Sequence, residues 1–261
     1  MRYRASHRLD EDFKMTDSDI RFGCIGCGAC CTGRYIPLTL DEAKQWLERG
    51  DGVGILLEAF NQETWGSSTG AFEHSLARSS LVSSGESTMQ VIAIFAGKAI
   101  PRCPNLLENG MCNIYDIRPL VCRIYPMEIN PFIELVPESK DCPPVAWEAG
   151  EILVSDRVME PIMSRNIASS KAADRSDALT KIAVCEELGL TTAAWKSDGL
   201  AIYNAPVDAL LAAINTVKSK GSVGLASRWS VRTDRPQLSS ALANQGLAVC
   251  SDSSDFDFHQ F

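Results

Sequence analysis

The segment Cys24-Ile-Gly-Cys27-Gly-Ala-Cys30-Cys31 places thiols at i, i+3 and i+6, with a fourth directly after the third. Two cysteines separated by two residues can grip one metal ion from a single turn of chain, which is why that spacing recurs in zinc ribbons and iron–sulfur proteins. Gly23, Gly26 and Gly28 let the backbone turn tightly and come close to a metal centre. Neighbouring side chains point in different directions, so Cys30 and Cys31 do not readily close one tetrahedral site. Either there are two centres or one cysteine has another job.

Four more cysteines follow at a distance. Cys103-Pro104 is followed, after eight intervening residues, by Cys112; nine then lead to Cys122 and nineteen to Cys142-Pro143. Eight thiols divide naturally into two four-cysteine sites, each suited to Zn²⁺ or to an iron–sulfur cluster. A compact triple run completed by remote Cys-Pro pairs is closer to the ferredoxin habit than to zinc knuckles, which favours iron and sulfide. Free cysteines pack as small hydrophobes singly rather than in clusters of four, and a reducing compartment argues against disulfides. The candidate ligands are therefore Cys24, Cys27, Cys30, Cys31, Cys103, Cys112, Cys122 and Cys142. Arg102, Arg118 and Arg123 accompany the distal cysteines and can stabilise ionised ligands from behind. The plainer alternative pairs Arg118 and Arg123 with Asp116 or Glu128.

Other chemistry has less support. His7, His74 and His259 fall in the N-terminus, a Ser-rich stretch and the C-terminal tail, where a histidine reads as a solvated surface residue. Tyr115 and Tyr125 flank the Arg118-Pro119 segment and read as core, with a substrate pocket as the alternative. Cys185 lies on the apolar face of a helical stretch and reads as core, whereas Cys250 reads as free and exposed.

The elements that position these residues must fit in 261 residues, which is one large domain or two small ones. The apolar share of 45% and charged share of 22% are those of a globular protein. A net charge of −8 repels phosphate backbones and anionic lipid, so neither nucleic acid nor membrane is expected as a partner. Val91–Ala96 is far shorter than the ~20 residues of a spanning helix. The charged N-terminus leaves no room for a secretory signal, so a cytoplasmic location is expected, and Met15 is an alternative start.

Thr39 and Glu42 form a capping-box pattern that predicts a helix from there to Gly50, with Leu40, Ala43 and Leu47 on one face. Residues 61–87 have no clear period and read as a long loop. Gln90–Ala96 reads as a buried strand and Phe132–Val136 as a second one. Asn109-Gly110 is the signal of a tight hairpin that sets Cys112 just past its turn, and Pro119 can start a short helical turn carrying Cys122. Helices are expected before Gly189 and between Pro206 and Gly221. The fold class is α+β: a small cysteine-rich metal-binding domain of short strands and helices, then a mostly helical C-terminal region. The expected segments are a flexible extension (1–21), the cysteine-cluster domain (22–150), a helical region (151–233) and a mobile tail (234–261).

The cysteine run, the following Ile36-Pro37-Leu38-Thr39 segment, Arg102-Cys103-Pro104-Asn105-Leu106, Cys112-x-Ile-Tyr115-x-x-Arg118-Pro119-x-x-Cys122-Arg123-x-Tyr125-Pro126 and Cys142 together resemble the YkgJ-type cysteine-cluster proteins. The resemblance runs from about Phe22 to Cys142. It departs at Asn105, where an aromatic is common, and it says little of residues 151–261. It implies a zinc- or iron-chelating domain with eight cysteines, and flagellin lysine N-methylase shares the cluster. The leading reading is a cytoplasmic protein holding an iron–sulfur cluster or zinc for electron transfer or structural organisation. The alternatives are an S-adenosylmethionine-dependent lysine N-methylase-like enzyme and a structural zinc module that presents its helical half to a protein partner. No Gly-x-Gly-x-x-Gly fingerprint accompanies the enzymatic alternative.

Overall fold

A computed structural model describes residues 19–261 except 64, 66–68, 149, 156–157, 221–224, 226–227 and 251–254. Residues 1–18 of the expected N-terminal extension lie outside the described residues. The chain begins with β1 (Ile20–Phe22), β2 (Thr32–Leu38), α1 (Leu40–Glu48), β3 (Val53–Phe60), α2 (Thr69–Leu76), β4 (Ser80–Ser84) and β5 (Ser87–Arg102). Next come α3 (Leu120–Ile124), α4 (Val145–Glu148), β6 (Glu151–Ser155), β7 (Val158–Met159) and α5 (Pro161–Glu187). The chain continues with β8 (Thr192–Trp195), β9 (Gly199–Tyr203), α6 (Val207–Lys220), β10 (Ser230–Arg232), α7 (Pro236–Asn244), β11 (Val249–Cys250) and β12 (Asp257–Gln260). The class is α+β.

The described residues form two compact units that interleave along the chain: 19–36 with Lys98–Ala172, and Pro37–Gly97 with Ala173–Phe261. Composition cannot show which distant stretches pair, so it offers only consecutive segments. All eight candidate ligands belong to the first unit, and Cys185 and Cys250 to the second.

In the first unit β1 pairs antiparallel with β6, and β6 with β7. Ile124, Leu153 and Met163 form a buried apolar cluster there, with Phe22, Leu120 and Met127 packed around them. Phe132–Val136 is not a strand: the Phe132 N–H donates to Asn130 Oδ1 at 3.0 Å, and Phe132, Ile133 and Val136 are exposed. The Asn130-Pro131 turn is made, and Ile133 N–H donates back to Asn130 C=O at 3.2 Å, so the chain closes a turn here instead of joining a ladder.

In the second unit, β3 is buried at every residue and runs antiparallel to β5, from Val53 opposite Gly97 to Phe60 opposite Gln90. It also pairs parallel with β8 and antiparallel with β9. β10 lies parallel to β8 and to β11, and α7 forms the crossover between β10 and β11 that parallel neighbours require. Buried Glu58 on β3 accepts from Lys196 Nζ at 2.5 Å and from Arg78 Nη2 at 3.5 Å, which offsets the cost of burying its charge. The α1 capping box is made, with Glu42 N–H donating to Thr39 Oγ1 at 3.2 Å and Thr39 N–H to Glu42 Oε2 at 2.9 Å. Leu40, Ala43, Trp46 and Leu47 are its buried face.

The stretch 61–87, read as a loop, contains α2, β4 and the start of β5 among its described residues. The C-terminal region is less purely helical than its patterns suggest, since β8 to β12 are too short to show a period. Within 234–261, α7 and β11 are ordered elements, and β12 pairs with β9 from Asp257 opposite Ile202 to Gln260 opposite Gly199. A backbone ladder of that kind needs no apolar pattern to form.

Candidate metal centre

The cysteine run begins where β1 ends. Gly23 N–H donates to Ala146 C=O at 2.8 Å, which ties the start of the loop to α4. Cys24 and Cys27 are exposed, and Cys30 and Cys31 are half-buried on the short 3-10 turn Ala29–Cys31. Gly26 and Gly28 carry φ of +69° and +72°, a region open to glycine at little cost. A Cβ on Gly26 would overlap Met111 Sδ, so the run is pressed against the hairpin that carries Cys112.

The distal cysteines come back to this loop through backbone contacts. Cys103 N–H donates to Cys31 C=O at 2.7 Å, although more than seventy residues separate them. Leu107 N–H donates to Met111 C=O at 2.9 Å and Leu106 bridges antiparallel to Cys112, which makes the turn at Asn109-Gly110 that the sequence predicts. Cys122 N–H donates to Pro119 C=O at 2.9 Å at the start of α3. Asp141, beside Cys142, pairs with Arg34. A cleft of about 320 Å³ opens beside Cys27, with Gly28, Arg102, Leu106 and Glu108 in its wall.

Cys30 Sγ and Cys31 Sγ lie 3.7 Å apart. Their hydrogen bond, then burial, raises the Cys30 thiol, and the same bond lowers Cys31. Opposing that are burial of Cys31 and charge at Cys103, Cys122 and Cys112. Burial, with charge at Cys103, Cys30 and Cys112, pushes the Cys122 thiol up to about 12, while Arg118 lowers it. Cys142 is raised by burial and by charge at Cys27, Cys30 and Cys24, against the hydrogen bond from Tyr125. Cys30, next to Cys31, acts on both Cys122 and Cys142.

Arg102 Nη2 donates to Leu106 C=O at 2.5 Å, Arg118 Nε to Tyr115 C=O at 2.8 Å and Arg123 Nε to Arg118 C=O at 2.6 Å. These guanidiniums brace the backbone of the distal segment, and Arg118 also lies 3.6 Å over the Tyr115 ring. Two features escape a reading by spacing. Arg34, three residues past the run, pairs with Asp141 beside Cys142, 107 residues on. Tyr125 is half-buried with its hydroxyl 3.1 Å from Cys142 Sγ, and burial followed by that bond raises its phenol. Its side-chain contact with a residue seventeen positions on leaves no trace in sequence.

Cys185 is fully buried on α5, and burial raises its thiol; Cys250 is half-buried on β11 rather than exposed, because β11 lies parallel to β10. His74 lies on α2 and His259 on β12, both in the second unit, and His7 lies outside the described residues.

Among the described residues no three His, Cys, Asp or Glu side chains converge closely enough to hold one ion as they stand. The donor set itself fits a soft or borderline cation, with eight thiols in one unit acting on one another. Residues 23–143 match the family model CxxCxxCC, described as "Putative zinc- or iron-chelating domain". The matched segment contains all eight of those cysteines and, of the three histidines, His74 alone. No curated protein and no solved structure matches the chain. Among the described residues no helix is long and apolar enough to cross a membrane.

Proposed function

We propose that this protein is a cytoplasmic metal-centre protein that holds iron–sulfur chemistry, or zinc in its place, on two four-cysteine sites. One site uses Cys24, Cys27, Cys30 and Cys142, and the other Cys31, Cys103, Cys112 and Cys122. The observation that supports this reading is the return of the distal segment to the cysteine run: Cys103 N–H donates to Cys31 C=O at 2.7 Å, and a Cβ on Gly26 would overlap Met111 Sδ, next to Cys112. Dividing the ligands between Cys30 and Cys31 also answers the problem of adjacent side chains at a single tetrahedral site. Arg34 and Arg118 supply positive charge to one set each, which suits thiolate centres with net negative charge. Iron and sulfide would supply one-electron chemistry, whereas zinc would supply structural closure.

Purification without oxygen, followed by metal and acid-labile sulfide analysis, tests this. Iron with sulfide and visible absorbance is expected; zinc alone, colourless because it is d¹⁰, would move the reading to a structural centre. Cys103→Ser and Cys142→Ser should each remove about half of the metal, and the double variant nearly all of it. Replacing Cys185 and Cys250 together should leave metal content unchanged. A chain that purifies without metal and takes up neither iron nor zinc would end the reading.

A further inference from the structure

Tyr125 follows α3 directly, and its backbone N–H donates to Val121 C=O at 3.1 Å, which fixes where the ring begins. The ring is then held from two sides. Phe22 meets it edge-on with centroids 5.9 Å apart, and Phe22 in turn packs on Trp147 at 4.9 Å. Lys140 Nζ stands 5.9 Å over the ring. Phe22 from β1 and Lys140 from the segment before Cys142 thus flank the phenol, and its hydroxyl reaches Cys142 Sγ at 3.1 Å.

We infer that Tyr125 is a positioning residue of the metal centre, whose hydroxyl donates to the Cys142 sulfur and thereby orients that ligand and sets its electron density. The inference rests on the proposed role of Cys142 as a ligand. A metal-bound cysteine is a thiolate and has no proton to give, so the phenol must be the donor. A hydrogen bond to a ligating sulfur withdraws charge from it, and such bonds are among the terms that set the reduction potential of iron–sulfur centres. On a zinc centre the same bond blunts the nucleophilicity of the sulfur and holds its orientation. Outer partners of metal ligands typically change affinity by about 10- to 100-fold when removed.

Tyr125→Phe keeps the ring and its packing on Phe22 and removes only the donor. The full chain loaded with iron and sulfide, or with Zn²⁺ where zinc is what it holds, should bind its metal on the order of 10-fold more weakly in this variant. The iron form should also show a lower reduction potential, and the zinc form faster alkylation of Cys142. Tyr115→Phe, on an exposed tyrosine stacked under Arg118, serves as the control and should change none of these. Because the effect runs through Cys142, Tyr125→Phe added to Cys142→Ser should have no further consequence. If the wild type holds metal and Tyr125→Phe matches it in affinity and in potential or alkylation rate, the inference fails while the metal reading stands. An effect that persists undiminished in the Cys142→Ser background marks a purely structural tyrosine and overturns it as well. If the wild type holds no metal, both readings fall together.

Discussion

Gly110 stands so close to Gly26 that a Cβ added to it would overlap the Gly26 carbonyl oxygen. The turn of the distal hairpin and the middle of the cysteine run therefore meet backbone to backbone. This contact sets the distance between Cys27 and the strand carrying Cys112, because neither side has a side chain to yield. Gly110 also has φ of +83°, so two independent requirements fall on one residue.

Gly110→Ala is expected to destabilise the first unit more than Gly33→Ala does. Gly33 has φ of +66° but nothing within 4 Å of an added methyl, so its substitution costs only conformational strain of about 1–2 kcal/mol. At Gly110 crowding adds on the order of 1–3 kcal/mol. Urea unfolding of both variants measures the difference, and metal content should fall for Gly110→Ala alone. Equal losses would mean that the hairpin moves away without consequence.

The dependence on metal should differ between the units. A thiolate site is rarely closed in the absence of its ion, so metal affinity appears as folding stability where the ligands lie. The candidate ligands all lie in the first unit, whereas α6 in the second buries Leu210, Ala213, Ile214 and Val217 on one apolar face. Hydrogen exchange with a strong chelator should show lost protection around Cys24–Cys31 and Cys103–Cys142, with protection kept at Val207–Val217. Equal loss at both would show that the helical elements depend on the centre.

Acid should weaken the second unit through Asp198. Burial works against its charge, but Thr233 Oγ1 at 2.5 Å, Asp234 N–H at 2.8 Å and Arg235 Nε at 3.1 Å outweigh it and hold the carboxyl below the usual carboxylate range. A depressed carboxyl stabilises the fold above its unfolded value of about 3.9, and that contribution disappears as pH falls through the folded value. Asp198→Asn should therefore lower stability at neutral pH and flatten the acid limb of a stability–pH curve. An unchanged slope between neutrality and acid unfolding would remove Asp198 from the account.

Much of the candidate site is legible in the residues themselves because its signals are local. Cysteine spacing, the Asn109-Gly110 turn, the Thr39–Glu42 box and the proline before α3 each act within a few residues, where sterics and hydrogen bonding leave few choices. By itself the sequence determines that eight of the ten cysteines fall within the segment that matches the chelating-domain model, that the class is α+β, and that α1 starts where it does. Tertiary structure decided what depends on residues far apart in the chain. It interleaved two units, drew β12 onto β9 without an apolar pattern, closed a turn rather than a strand after Asn130, and brought Tyr125 to Cys142 and Arg34 to Asp141. Backbone ladders and single side-chain contacts are satisfied by whatever the fold brings near. A chain read in order carries no record of that proximity.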